Sequence, residues 1–243
     1  MVASGRGPAE RIHEQGSGRL QLGDEVLTRS ERAITPAPSA GLSTEPVELE
    51  SSSSLAADAA EWARGRSPWV RGVLLAYLAY AFARHLLDPL YRSWFAGLTL
   101  VLHEGGHLMF MFFGRTLMFL GGSIVQIAAP LAAGIYLVVR QRDWFGGVVG
   151  ASWLSYSTFE LATYVDDANR GELPLVGMGD NVEHDWETLL TQWHVLNQAQ
   201  LFATLLRVCA ASIGFLGLVL GVWLLAEMWR TRATRPAHAR LTR

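Results

Sequence analysis

From residue 67 onward the chain is built of long apolar runs separated by short polar connections. Five runs, at about 69–87, 94–113, 117–139, 144–165 and 201–229, are long enough to cross a bilayer. A hydrocarbon core roughly 30 Å thick takes about 20 residues at 1.5 Å each. The pattern therefore predicts an all-α fold, a polytopic helical bundle of about five transmembrane helices occupying 67–230. The last run exceeds what the bilayer needs, so it tilts, breaks or projects. Gly146/Gly150 and Gly217/Gly221 have the spacing that lets membrane helices approach closely.

Residues 1–66 have a different pattern. They carry Pro8, Pro36, Pro38 and Pro46, a serine run at 51–54 and charges of both signs, with no sustained apolar period. This predicts a disordered polar tail, with a short helix at 56–63 on the membrane surface. No basic head precedes an apolar stretch with a small-residue cleavage site, so the tail does not read as a signal peptide.

Charge orients the spans. Arg230 and Arg232 begin a basic tail over 231–243, and Arg84, Arg92, Arg140 and Arg142 lie in short connections. With five spans these share one side, which the positive-inside rule makes cytoplasmic. The 166–200 loop then lies outside and is acidic. Trp94, Trp144 and Trp229 would form an inner aromatic belt. Arg64, Arg66 and Arg71 fit this arrangement poorly, since they flank the first span on the outside; a re-entrant segment would reverse that part. A net charge of −2 argues against nucleic-acid binding. The single cysteine, Cys209, rules out an intrachain disulfide and a cysteine zinc site. It reads as a packing residue, and His13, His85 and His194 read as surface histidines.

One run carries chemistry. His103-Glu104-Gly105-Gly106-His107 places two imidazoles on one helix face, one turn apart, where they can share a Zn²⁺. The glutamate between them can act as general base toward a metal-activated water. Ionisable groups at that depth cost roughly 2.5–3.5 kcal/mol each on insertion scales, so three together indicate a task. The two glycines either keep the metal face open to an extended peptide or serve helix packing.

Catalytic zinc keeps three protein ligands and one open position. The second and fourth spans run the same way. His107 lies roughly 9 Å below the surface they share, and Glu160 lies at similar depth. Asp166, Asp167, His184 and Asp185 follow on that side, and Gln126 lies near the depth of His103. The leading candidates for third ligand are Asp167 and His184, followed by Asp166, Glu160 and Asp185. Any of the acidic group can instead hold a ligand imidazole from behind, and Gln126 can orient a ligand or a substrate backbone. Arg207 either stabilises an oxyanion or snorkels to the interface.

With His103, Glu104 and His107 inside a membrane span, and Asp166 or Asp167 two spans later, the chain resembles the site-2-protease type of intramembrane zinc metalloprotease. The stretches 121–126, 164–168, 173–175 and 184–186 also resemble bacterial membrane proteins that carry HExxH. The resemblance implies a three-span core over about 94–167, with His103 and His107 as ligands and Glu104 as base. No Asp-Gly occurs in this chain, and the family usually brings its third ligand in that context, so the third ligand stays open. The expected function is zinc-dependent cleavage of membrane-spanning protein substrates in a bacterial cytoplasmic membrane. The alternatives are a zinc amidase or lipid hydrolase, and a non-catalytic metal-binding membrane protein.

Overall fold

The computed structural model describes residues 55–174 and 183–233. Of the polar tail expected over 1–66, the part before residue 55, with His13 in it, lies outside the described residues, as do the stretch 175–182 and the expected basic tail from 234 on; 55–63 is helical and 231–233 continue the last helix.

The described residues form an all-α bundle. Its helices are α1 (Leu55–Ala63), α2 (Trp69–Leu87), α3 (Ala96–Phe110), α4 (Arg115–Val139), α5 (Trp144–Asp167), α6 (Asp185–Gln192) and α7 (Ala199–Ala233). Helix α2, the α3 stretch Ala96–Phe113, α4 and the α7 stretch Leu196–Arg232 are long and apolar enough to cross a membrane. Their outer faces carry exposed Val70, Val73, Leu131, Ile135, Leu216 and Val222, as lipid-facing surfaces do. Helix α5 is equally long but interrupted by Ser152, Ser155, Ser157 and Thr158, all buried. It forms the centre of the bundle: Ser152 and Thr158 donate to carbonyls one turn back in α5, while Ser155 and Ser157 reach neighbouring helices. Ser155, for instance, donates to the Ala210 carbonyl at 2.7 Å.

Small residues set the closest approaches. A Cβ on Gly150 would come within 2.5 Å of the Gly134 Cα, so α4 and α5 meet backbone to backbone there. Gly217 and Gly221 lie against Ala151 and against Leu75 and Val148, as their spacing suggested. Cys209, expected to pack, is exposed. Helix α7 spans 35 residues, about 52 Å. Its projecting end is covered by α1, whose Ala59 and Ala63 share a buried cluster with Met228.

Helix direction departs from simple alternation. Along α2 and α5, Leu75 and Val148 share Gly221, Phe82 meets Phe159 at 6.3 Å, and Thr163 donates to the Pro89 carbonyl at 3.0 Å. These two helices are parallel. So are α3 and α5, through Phe95 with Trp153, Thr99 with Ser157 and His103 with Tyr164. Helices α4 and α7 run the opposite way.

Residues 88–95 reconcile the two parallel helices. Asp88-Pro89 ends α2, because proline disfavours helical conformation before it. The chain then turns back until the Trp94 N–H donates to Tyr77 Oη at 3.1 Å. Tyr77 lies ten residues before the end of α2, so the return is about 15 Å deep. Non-helical backbone survives at that depth only against protein or a cavity, and here it walls a cleft beside α3.

This fold-back corrects the expected orientation. Helix α2 begins beside the end of α7, with Trp69 and Trp229 rings 5.0 Å apart. Arg64, Arg66 and Arg71 therefore lie at the same end as Arg140, Arg142, Arg230 and Arg232. Arg84 lies at the opposite end, and Trp94 leaves the expected belt for mid-depth, beside Tyr77 with its ring exposed on the outer face of the bundle.

Candidate metal centre

Helix α3 carries His103 and His107 one turn apart against the start of α4. A Cβ on Gly106 would collide with the Gly121 carbonyl, so Gly106 is a packing residue. Gly105 faces open space. Gly122 on α4 is the permissive position for the site. A Cβ there would lie 2.6 Å from His107 Nε2 and 2.9 Å from His103 Cε1.

The third member of the cluster is Asp185. Its Oδ2 lies 3.0 Å from His103 Nε2 and 3.3 Å from His107 Nε2. Ligand atoms about 2.05 Å from a tetrahedral zinc sit roughly 3.3 Å apart, so this spacing suits a shared ion. His103, His107 and Asp185 together form a group able to hold a metal ion.

The opposite edges of both imidazoles decide their protonation. His107 Nδ1 lies 2.8 Å from the Met118 carbonyl, which only accepts, so Nδ1 carries the proton. His103 Nδ1 lies 2.8 Å from Gln126 Oε1, and the Gln126 amide is aligned by donating Nε2–H to the Ser157 carbonyl at 2.9 Å. His103 Nδ1 is thus also a donor. In the neutral rings both Nε2 lone pairs then point at a carboxylate oxygen. Three electron-rich atoms converge on one buried space, which requires a cation or added protons between them. His103 and Gln126 are buried, and Asp185 is only 6% exposed. Burial works against ionised Asp185, but when the imidazoles take up a proton at Nε2 their hydrogen bonds and charges outweigh it and hold the carboxyl below its usual range.

Asp167 and His184, the leading sequence candidates for third ligand, lie behind this cluster. Asp167 accepts from the Glu172 and Leu173 amides, both at 3.0 Å, and so pins the chain leaving α5. His184 caps α6, accepting from the Glu187 amide at 3.3 Å, and stacks on Tyr164 at 4.2 Å. Its Nε2 comes within 3.7 Å of Asp167 Oδ2. These two residues fasten the loop that delivers Asp185. Asp166 binds Arg170 and Arg207 at 2.9 and 3.1 Å, which engages Arg207 in an ion pair away from the cluster. His194 is exposed as expected, but His85 is buried and stacked on Tyr156 at 4.9 Å.

Several supporting residues lie in the stretches 121–126, 164–168 and 184–186 that carried the resemblance, but no role was legible for them in the sequence. Tyr164 Oη accepts from the Asp185 amide at 3.1 Å, and Trp186 Nε1 donates to Ser123 Oγ at 3.0 Å. Both fix α6 against the membrane helices. The Gly121-Gly122-Ser123 run belongs to the first of these stretches, and its position against α3 and both imidazoles came only with the fold.

Beside the cluster is a cleft of about 140 Å³. Pro89 to Arg92, Thr99, His103, Glu104, Gln126 and Glu160 are among its lining residues. Glu104 is partly exposed and shares this space with His103. Compared with protein-family models, with curated proteins and with solved structures, the chain matches none.

Proposed function

We propose that this protein is a zinc-dependent intramembrane peptidase acting on membrane-spanning protein segments, in a bacterial cytoplasmic membrane. The observation that carries the reading is the convergence of two imidazole lone pairs and one carboxylate beside Glu104. Two histidines and one carboxylate also suit ferrous iron. The HExxH order, with a glutamate in the cleft beside the ligands, favours zinc hydrolysis.

His103 and His107 would bind zinc through Nε2, and Asp185 through Oδ2. Bound zinc lowers the pKa of a coordinated water to about 7 and polarises a carbonyl. Gln126 and the Met118 carbonyl hold the imidazoles in the ligating tautomer. Glu104 takes a proton from the attacking water and passes it to the leaving amine nitrogen. The surrounding apolar helices limit bulk water, so a substrate helix must unwind before its carbonyl reaches the cleft. The segment 88–95 already holds non-helical backbone beside that cleft.

The arginines at the α1 end orient the bundle with that end in the cytoplasm and the metal cluster toward the opposite face. The test is to purify the protein in detergent, count metals, and compare wild type with Glu104→Gln on an unwound transmembrane peptide. One zinc per chain in both, with cleavage only by wild type, supports the reading. Undiminished cleavage by Glu104→Gln rejects it.

A further inference from the structure

The cleft has a polar group that the mechanism above does not use. Most polar side chains in its wall are engaged within the protein. Thr99 meets Ser157 and Trp153, Gln126 spans His103 and Ser157, Thr163 donates to Pro89, and Tyr164 receives Asp185. Glu160 differs: its Oε1 is buried and has no hydrogen-bond partner. A buried acceptor without a donor is costly and calls for an explanation. Glu160 lies one turn before Tyr164 on α5, and both line the cleft that reaches His103 and Glu104.

The size of the space limits what enters. An apolar cavity of about 150 Å³ takes a benzene molecule, so a cleft of about 140 Å³ holds one side chain rather than a helix or a lipid tail. Leu90, Ala96, Leu100 and Leu161 supply apolar wall around Glu160. Arg92 lines the same space and disfavours a cationic occupant.

We infer that this cleft is the side-chain pocket of the peptidase, and that Glu160 selects a substrate residue with an apolar stem and a neutral hydrogen-bond donor, a hydroxyl or primary amide, at its tip. The inference rests on the proposed peptidase reading. It makes Glu160 a specificity-determining residue, with no part in the proton transfers assigned to Glu104.

Isosteric pairs test this without relying on turnover. Amino-acid hydroxamates ligate zinc directly and differ only in the side chain offered to the cleft. Threonine and valine hydroxamates form one pair, tyrosine and phenylalanine another. Binding to the full-length zinc-loaded protein is measured by calorimetry, with zinc-free protein as control. The donor-bearing member of at least one pair should bind about tenfold tighter, near the upper worth of a single hydrogen bond. Glu160→Leu should abolish or invert that preference while retaining zinc. Glu160→Gln, with a weaker acceptor of the same shape, should reduce it to a few-fold. Zinc-dependent binding with equal affinities within both wild-type pairs overturns this inference and leaves the peptidase reading standing. A preference unchanged in Glu160→Leu also overturns it. Absence of zinc-dependent binding by every hydroxamate overturns both.

Discussion

The Asp185 carboxylate meets His103 Nε2 at 3.0 Å across 82 residues of chain. The two residues belong to different environments: His103 lies within a membrane helix, and Asp185 begins a short helix outside the membrane spans. The site is complete only when α6 is docked. Tyr164, Trp186 and the Asp167–His184 pair perform that docking.

Asp185→Asn should therefore cost more metal affinity than either neighbouring substitution that sequence reasoning ranked higher. Zinc titration should show a loss greater than about 100-fold for Asp185→Asn. Asp167→Asn should lose about 10-fold to 100-fold, the usual range for groups supporting a ligand. Equal zinc affinity in Asp185→Asn and wild type would remove Asp185 from the centre.

Gln126 acts through His103 Nδ1. Gln126→Leu leaves that N–H and the Ser157 carbonyl without their partner. Zinc affinity should fall about 10-fold to 100-fold, while the helical circular-dichroism signal stays at the wild-type level. An unchanged affinity would mean that the ring is oriented by packing alone.

Gly122→Ala and Gly150→Ala should separate site from scaffold. The first places a methyl group against both imidazoles and should abolish zinc binding, with a smaller effect on melting. The second forces α4 from α5 and should cost about 1–3 kcal/mol, the usual range for overpacking. Melting in detergent, paired with metal counting, distinguishes the two.

Helix direction is testable by labelling. In a Cys209→Ser background, cysteines at Ser67 and Arg142 should react from one side of sealed vesicles, and a cysteine at Arg170 from the other. Labelling of Ser67 together with Arg170 would contradict the fold-back at 88–95.

Acid should loosen the α6 dock. Burial holds the His184 imidazole below its ordinary value of 6.5, with Asp167 opposing the shift. The unfolded chain binds this proton near that pH and the folded chain only at lower pH. Stability from neutral His184 is therefore full above the ordinary value and declines as pH falls from it toward the depressed folded value. The melting temperature of metal-free protein should drop between pH 7 and 5, and less steeply in His184→Phe. Parallel profiles in the two proteins would place the titration elsewhere.

The sequence by itself determined the all-helical membrane architecture, because apolar runs of that length have no other way to satisfy their backbone in lipid. It also determined the His103–Glu104–His107 face, because helical periodicity places residues four apart together. Only the tertiary structure decided that α2 runs parallel to α3 and α5, since charge and parity both assume that each connection stays at the surface. It also decided that Asp185, rather than Asp167 or His184, faces the imidazoles. All three acidic and imidazole candidates lie at the right depth, and which one turns inward depends on the helix cap and ring stacking of a loop far away in sequence. Periodicity describes one helix at a time, whereas a metal centre needs atoms from several helices within a few ångströms.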